Sequence, residues 1–247
     1  MIVPKDSVLR TLPRNMELKQ VLVFDGIRVA AEIGDRAYQR LVAKLTRIGV
    51  GESLPADLDA SEVIEDAWAV VDSVQRLRKL FMNMRGLKQN SPGLQQFYRG
   101  TAEVEELRHG TQHVDQRIEQ LENEKLPVWR SLTWGYRPDL SKPIIRSLLL
   151  ILGPIKDGKH QTLNPAGKPF RGHLDSVTPD AFGVRADLSS VMRHVAAVVG
   201  QLQKQLQAHA DPKDHYGCDV VASVTLEMLK EVPEGEPGIP IPFNEAI

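Results

Sequence analysis

The spacing of apolar residues changes near Pro127, and this change constrains the fold more than any other feature of the chain. Before Pro127, apolar residues recur every three or four positions, the period of an amphipathic helix. After it come VWRSLTW and IIRSLLLIL, short runs rich in β-branched and aromatic residues that are typical of strands. The order of these patterns predicts helices first and a small sheet second.

Local signals divide the helical part into segments. The first helix is predicted over 17–49 and stops at a Gly-Val-Gly sequence. Asp59 and Glu62 form a capping box that opens a second helix, which runs to about residue 84. Ser91 followed by Pro92 starts a third helical stretch, which breaks near Gly100 and resumes over 101–125.

The first helix has one apolar and one polar stripe, and we expect the apolar stripe to face the core. Its inward residues are predicted to be Leu18, Val21, Leu22, Val29, Ile33, Leu41, Leu45 and Ile48. Asp25, Arg28, Glu32 and Asp35 recur at steps of three and four, which is typical of a solvated face with weak ion pairs.

The chain is therefore predicted to be α+β: an N-terminal all-α helical bundle with a small β-rich appendage and a long late helix. The bundle covers 17–125. A β-hairpin and loop region with one packing helix covers 126–230, where Asp187 caps the helix that runs to Gln207. A Pro/Gly-rich tail covers 231–247, and the ambiguous segment 216–229 precedes it.

Composition excludes several functional classes. The formal charge of -1 excludes a strongly basic nucleic-acid coat but not a local basic patch. A single cysteine, Cys218, excludes an internal disulfide framework and a thiolate zinc cluster. The N-terminal residues do not match a signal peptide and no apolar stretch is long enough to span a bilayer, so we expect a cytoplasmic protein without membrane contact.

The densest cluster of catalytic residue types lies between Glu105 and Asp115. His109 and His113 are four residues apart and face one side of a helix, so a metal site is one interpretation. Glu106 and His109 form a Glu-x-x-His unit, but di-iron bundles need a second copy, which the sequence lacks. We therefore predict neither a metal nor a cofactor.

A second interpretation is metal-independent cleavage of RNA by its own 2′-hydroxyl. A histidine such as His113 can move the proton, because imidazole titrates near neutral pH. The guanidinium of Arg108 can hold the phosphate. On a straight helix these residues are ~7.5 Å and ~140° apart, so a bend or a second copy would be needed to bring them together.

In residues 17–125, the helical pattern and the sequence Arg108-x4-His113 resemble HEPN domains (higher eukaryotes and prokaryotes nucleotide-binding). The resemblance implies a metal-independent endoribonuclease of a toxin–antitoxin or phage-defence system. It also implies a homodimer in which both copies of the 105–115 segment face one cleft. Arg108 would hold the phosphate, His113 would move the proton, and His109 would support the pocket.

A third interpretation is that this cluster is only a polar helix face held by neighbouring ion pairs. Gly110 bears on the choice, because glycine inside a helix is unfavourable by ~1 kcal/mol relative to alanine. Its presence indicates close approach of a backbone or ligand, or packing of a neighbouring element. The corresponding functional alternative is a non-catalytic interaction or sensor protein of bacterial origin.

Positively charged residues lie along the second half of the second predicted helix and just beyond its end. Acids dominate 52–72 and bases dominate 73–99, which matches the helix dipole and also suits a phosphate-binding patch. The candidate RNA-binding residues are Arg76, Arg78, Lys79, Arg85 and Lys88. Expected partners are RNA, a second copy of the chain, and a protein docked through the β region or the C-terminal tail.

Overall fold

The structure is a computed structural model that describes residues 1–51, 53–84, 87–113, 115–116, 131–153, 162, 164, 169–208, 215 and 219. These residues form an α+β fold, as predicted. Helices come first, a four-stranded antiparallel sheet follows, and a long helix comes after the sheet.

The N-terminal helices are α1 (Leu18–Gly51), α2 (Ala60–Asn83), α3 (Pro92–Gly100) and α4 (Ala102–Gln112). They begin where the local signals predict, but α4 ends at Gln112 and does not continue unbroken toward residue 125. The Asp59 side chain accepts a hydrogen bond from the Ser61 N–H at the start of α2. The predicted break near Gly100 separates α3 from α4. These four helices account for more than two-thirds of residues 17–125.

The strands of the sheet are β1 (Ser131–Tyr136), β2 (Arg146–Ile151), β3 (Leu174–Ala181) and β4 (Val184–Arg185). Their order is β2-β1-β3-β4 and every pairing is antiparallel. The last described helix, α5 (Leu188–Gln207), begins at Asp187, whose carboxylate accepts hydrogen bonds from the Ser189 and Ser190 N–H groups. The described part of 126–185 thus contains strands and no helix, as predicted.

Helices and sheet share one hydrophobic core. Leu132, Trp134 and Tyr136 of the central strand β1 are buried in the same cluster as the apolar faces of α1, α2 and α5. Tyr136 packs directly on Gly49 of α1, where a Cβ atom would lie 2.6 Å from the Tyr136 Cγ. The absence of a side chain at Gly49 therefore lets the sheet approach the end of α1.

The prediction for the two faces of α1 is wrong in its N-terminal half. Arg28, Glu32 and Asp35 were expected in solvent and are buried. Leu18, Leu22, Val29 and Ile33 were expected in the core and are exposed. In the C-terminal half the prediction is confirmed, since Leu41, Leu45 and Ile48 are buried.

The polar face of α1 is buried because distant charges complete it. Arg28 donates to Asp25, to Glu32 and to both carboxylate oxygens of Asp219, which is 191 residues away. Arg10, from the N-terminal segment, also binds Glu32 and Asp219. Burial alone would lower the pKa of Arg28, but hydrogen bonds to Asp219 and Asp25 outweigh this effect and raise it. Arg28 is therefore charged in the folded protein.

Three predicted features lie outside the described residues. They are most of the third helical stretch beyond His113, which was predicted to run to residue 125, the ambiguous segment 216–229 apart from Asp219, and the tail 231–247.

We expect Arg28→Met to lower the free energy of unfolding by about 3 kcal/mol, because it removes a buried guanidinium that pairs with the buried Glu32 and with the half-exposed Asp25 and Asp219. Arg36→Met is the matched control: Arg36 also binds Glu32, at 2.7 Å, but its side chain is 67% exposed. An exposed ion pair contributes less than about 1 kcal/mol. Urea denaturation of the three proteins measures the difference, and equal losses for the two variants would contradict the role assigned to Arg28.

Candidate active site

The helix α4 carries the Arg108/His113 segment, and a buried arginine of α2 fixes its position. Arg78 donates from Nη1 to the Tyr98 carbonyl oxygen at 2.8 Å and to the Thr101 Oγ1 at 2.7 Å. Its Nη2 donates to the Glu105 carboxylate at 2.6 Å. One guanidinium therefore ties α2 to the end of α3 and the first turns of α4.

Arg108 also reaches across to α2. Its Nε forms an ion pair with Oδ1 of Asp72, and both side chains are partly exposed. The guanidinium therefore lies between α4 and α2, where solvent and a ligand can reach it. A phosphate that binds Arg108 would compete with Asp72 for it.

The two histidines form a pair at the C-terminal end of α4. Their ring centroids are 4.6 Å apart with an interplanar angle of 58°. His109 lies in the last turn of the helix, and His113 is its C-cap residue with non-helical backbone angles. The two imidazoles are thus close enough to act on one small group.

A cleft of about 490 Å³ runs between α2 and α4. Its lining residues are Gln75, Lys79, Glu105, Glu106, Arg108, His109, Gln112 and Val184. The cleft therefore brings together three of the sequence-predicted site residues, Lys79, Arg108 and His109. His113 is not among the lining residues, but its ring lies against that of His109, which is.

The carboxylate of Glu105 in the cleft is hydrogen-bonded within the protein. Arg78 donates a hydrogen bond to Glu105 and lowers the pKa of that carboxyl, although partial burial opposes the shift. Glu105 therefore stays ionised at neutral pH and hydrogen-bonded to Arg78, so it does not supply a proton. The Gln75 Oε1 is buried and accepts no hydrogen bond from the described residues.

The four described candidate RNA-binding residues lie in different surroundings. Arg76 and Lys79 are exposed on α2, and Lys79 lines the cleft. Arg78 is buried and bonded inside the protein. Lys88 lines a separate cavity of about 200 Å³ beside Leu94 and Val198. Arg85 lies outside the described residues.

Gly110 is explained by packing against the sheet. A Cβ atom at this position would lie 2.7 Å from Cδ2 and 3.1 Å from Cγ of Phe182, which is in the turn between β3 and β4. The ring of Phe182 thus occupies the space of the missing side chain and holds the β3–β4 turn against α4. Of the two explanations offered by the sequence, packing is the one that applies.

A second cavity, of about 520 Å³, lies beside β4. Val184 lines the cleft and the next residue, Arg185, lines this second cavity together with Arg99 and His194. Asp187 lies in its wall, and burial raises the pKa of this carboxyl although the Ser190 and Ser189 N–H groups oppose the shift. The cavity thus combines the guanidinium groups of Arg99 and Arg185 with the carboxyl groups of Glu103 and Asp187.

Within the described ranges, no three His, Cys, Asp or Glu side chains are grouped as a metal site. Among the same residues, every helix is too short or too polar to cross a membrane. No family model, curated protein or solved structure matches this chain. The resemblance to HEPN domains thus depends on the helical pattern and on Arg108-x4-His113 alone.

We expect Gly110→Ala to lower the free energy of unfolding by about 1–2 kcal/mol, because the new methyl group overlaps the Phe182 ring. Gly200→Ala in α5 is the matched control, since a Cβ atom there meets nothing within 4 Å. That variant should gain up to about 1 kcal/mol from helix propensity. Thermal unfolding compares the two, and a gain in both variants would show that Phe182 does not press on Gly110.

Proposed function

We propose that this chain is a metal-independent endoribonuclease that acts at the α2–α4 cleft. The observation that carries the proposal is that Lys79, Arg108 and His109 line one cleft, with His113 against His109. Two cations and two imidazoles are the groups needed for phosphodiester cleavage without a metal. As the family resemblance implies, such an enzyme would act on cytoplasmic RNA in a toxin or defence system.

In the proposed reaction, the 2′-oxygen of a ribose attacks the adjacent phosphorus. A new 2′-O–P bond forms, the 5′-O–P bond breaks, and the products are a 2′,3′-cyclic phosphate and a free 5′-hydroxyl. His113 takes the proton of the 2′-hydroxyl, and His109 returns a proton to the leaving 5′-oxygen. Arg108 and Lys79 stabilise the negative charge that accumulates on the phosphate oxygens.

The proposed reaction requires RNA and not DNA, because the attacking 2′-hydroxyl is the group that DNA lacks. We place the reacting phosphate between Lys79 and Arg108, the two cationic side chains that line the cleft.

The homodimer expected from the family remains a proposal. The expected dimer joined two copies of the 105–115 segment because Arg108 and His113 diverge on one helix. The cleft draws Lys79, Arg108 and His109 from a single chain, whereas His113 does not line it. A second copy would therefore serve to bring a His113 side chain to the cleft.

We expect His113→Ala and His109→Ala each to lower the rate of RNA cleavage by roughly two to four orders of magnitude, the usual effect of removing a positioned acid or base. Arg108→Lys should rescue Arg108→Ala poorly, because lysine lacks the planar fork. The measurement is cleavage of a fluorescent single-stranded RNA in EDTA.

Asp72→Asn separates this mechanism from a purely structural role of the helix face. If Arg108 serves only to hold α4 on α2, Asp72→Asn and Arg108→Ala should lower the melting temperature equally and no cleavage should be present. If Arg108 binds the phosphate, Asp72→Asn should keep cleavage within about tenfold of wild type, since an exposed ion pair contributes little to stability. Wild-type protein that leaves RNA intact over a broad pH range would refute the proposed activity.

We expect Lys79→Gln to weaken RNA binding by roughly fivefold, the effect of ~1 kcal/mol for an exposed ion pair. The slope of log affinity against log salt should fall by about 0.7, the value for one phosphate contact on a single strand. Binding is measured by fluorescence anisotropy in a His113→Ala background, so that the RNA stays intact. Lys204→Gln is the matched control, because Lys204 is an exposed lysine on α5 that does not line the cleft. Equal losses for the two variants would place the RNA elsewhere.

A further inference from the structure

A further cavity, of about 330 Å³, lies between α1, the start of β3 and the first half of α5. Four of its lining residues are apolar, namely Ile2, Leu174, Met192 and Ala196. A cavity of this volume, with apolar walls and a few converging polar groups, is typical of a site for a small molecule. The polar groups of the cavity therefore indicate which ligand it can take.

Two guanidinium groups, those of Arg171 and Arg193, line this cavity. Arg171 is exposed, and its guanidinium has no hydrogen-bond acceptor among the described residues. Arg193 donates from Nη1 to the Asp175 carboxylate at 3.1 Å, and its side chain is 40% exposed. Because a guanidinium has five N–H donors, both arginines can still donate to a ligand.

One hydroxyl proton of the cavity wall is also available. The Tyr38 hydroxyl lies 3.0 Å from Ser189 Oγ, which accepts a second hydrogen bond from the Val177 N–H at 3.1 Å. Two hydroxyl groups share one contact, so one of their two protons has no acceptor among the described residues. Burial raises the pKa of Tyr38, so its hydroxyl is protonated at neutral pH. Since Tyr38 and Ser189 both line the cavity, a ligand oxygen can accept the remaining proton.

Asp175, one of the two carboxylates that line the cavity, is already hydrogen-bonded within the protein. It is buried and accepts hydrogen bonds from the main-chain N–H groups of Arg171 and Ser176 and from Arg193. Burial would raise the pKa of Asp175, but these hydrogen bonds outweigh the effect and lower it. Asp175 is therefore ionised and satisfied by the protein itself.

Asp35, the second of these carboxylates, is satisfied in the same way. It accepts hydrogen bonds from the Ile2 N–H and from Gln39 Nε2, both at 3.0 Å. The groups that the cavity still offers to a ligand are thus donors. The formal charges of the two arginines and two aspartates cancel, so a ligand with one negative charge is better suited to the cavity than a dianion.

We propose that this cavity binds a small organic monocarboxylate. Arg171 and Arg193 pair with the carboxylate, whose two oxygens match the fork of a guanidinium. The free hydroxyl proton of the Tyr38–Ser189 pair is donated to one of these oxygens, and the aliphatic part of the ligand packs on Met192. The proposal does not depend on the ribonuclease activity, because none of the residues that line this cavity lines the α2–α4 cleft.

The first test compares sodium hexanoate, hexan-1-ol and inorganic phosphate as probes. Binding is measured from the backbone amide chemical shifts of the nitrogen-15-labelled protein. We expect hexanoate to bind with a dissociation constant below about 10 mM, and the other two probes to bind at least about tenfold more weakly. Hexan-1-ol lacks the charge and phosphate lacks the apolar chain. Hexanoate that does not bind, or that binds no more tightly than either of the other probes, would overturn the proposal.

The second test locates the bound hexanoate by filling the cavity. Ala196→Trp should weaken hexanoate binding at least about tenfold, because the indole ring takes the place of the aliphatic chain. Ala197→Trp is the matched control: Ala197 is also exposed on α5 but does not line the cavity, and this variant should bind hexanoate as wild type does. Equal affinities of the two variants would place the hexanoate elsewhere and overturn the proposal.

The third test removes one of the guanidinium groups. Arg171→Gln should weaken hexanoate binding roughly tenfold, the usual effect of losing a hydrogen bond to a charged group, and should leave the affinity for hexan-1-ol unchanged. Arg76→Gln is the matched control, because Arg76 is an exposed arginine of α2 that does not line the cavity. Circular dichroism checks that each variant is folded, as expected for substitutions at exposed positions. Equal losses in Arg171→Gln and Arg76→Gln would show that Arg171 does not hold the carboxylate and would overturn the proposal.

Discussion

The guanidinium of Arg78 determines where the α2–α4 cleft lies. It is buried and donates hydrogen bonds to the Tyr98 carbonyl oxygen in α3, to the Thr101 hydroxyl and to the Glu105 carboxylate. A buried charge must be paired and hydrogen-bonded, so these three acceptors restrict how α3 and α4 meet α2. The position of Arg108 and His109 relative to Lys79 follows from this restriction. The positive charge of Arg78 thus acts inside the protein, whereas that of Lys79, one residue later, faces the cleft.

Helix boundaries were predictable because their signals are local. Asp59, Pro92 and Asp187 each act on the first turn of the helix that they begin, and the helices start beside them. The faces of α1 were not predictable, because burial of Arg28 depends on Asp219 and burial of Glu32 depends on Arg10. A helix with one polar and one apolar stripe offers two candidate inner faces. The choice between them depends on counter-charges far away in the chain.

In the candidate site, too, the local features were predictable from the sequence and the long-range contacts were not. The sequence located its residue types, since Arg108, His109 and Lys79 were candidates and line one cleft. It did not indicate Gln75, Asp72 or Phe182, whose roles depend on packing between α2, α4 and the β3–β4 turn. Gly110 was the one signal of that packing, because an unfavourable residue inside a helix requires a neighbour that excludes a side chain. The neighbour itself, 72 residues away, could not be inferred.

The origin of the cleft residues determines how catalysis would depend on assembly. Lys79, Arg108 and His109 come from one chain, and His113 does not line the cleft. If the three lining residues suffice, the rate per chain does not change with protein concentration. A site that needs His113 of a second copy would instead make the rate depend on the square of protein concentration below the dissociation constant.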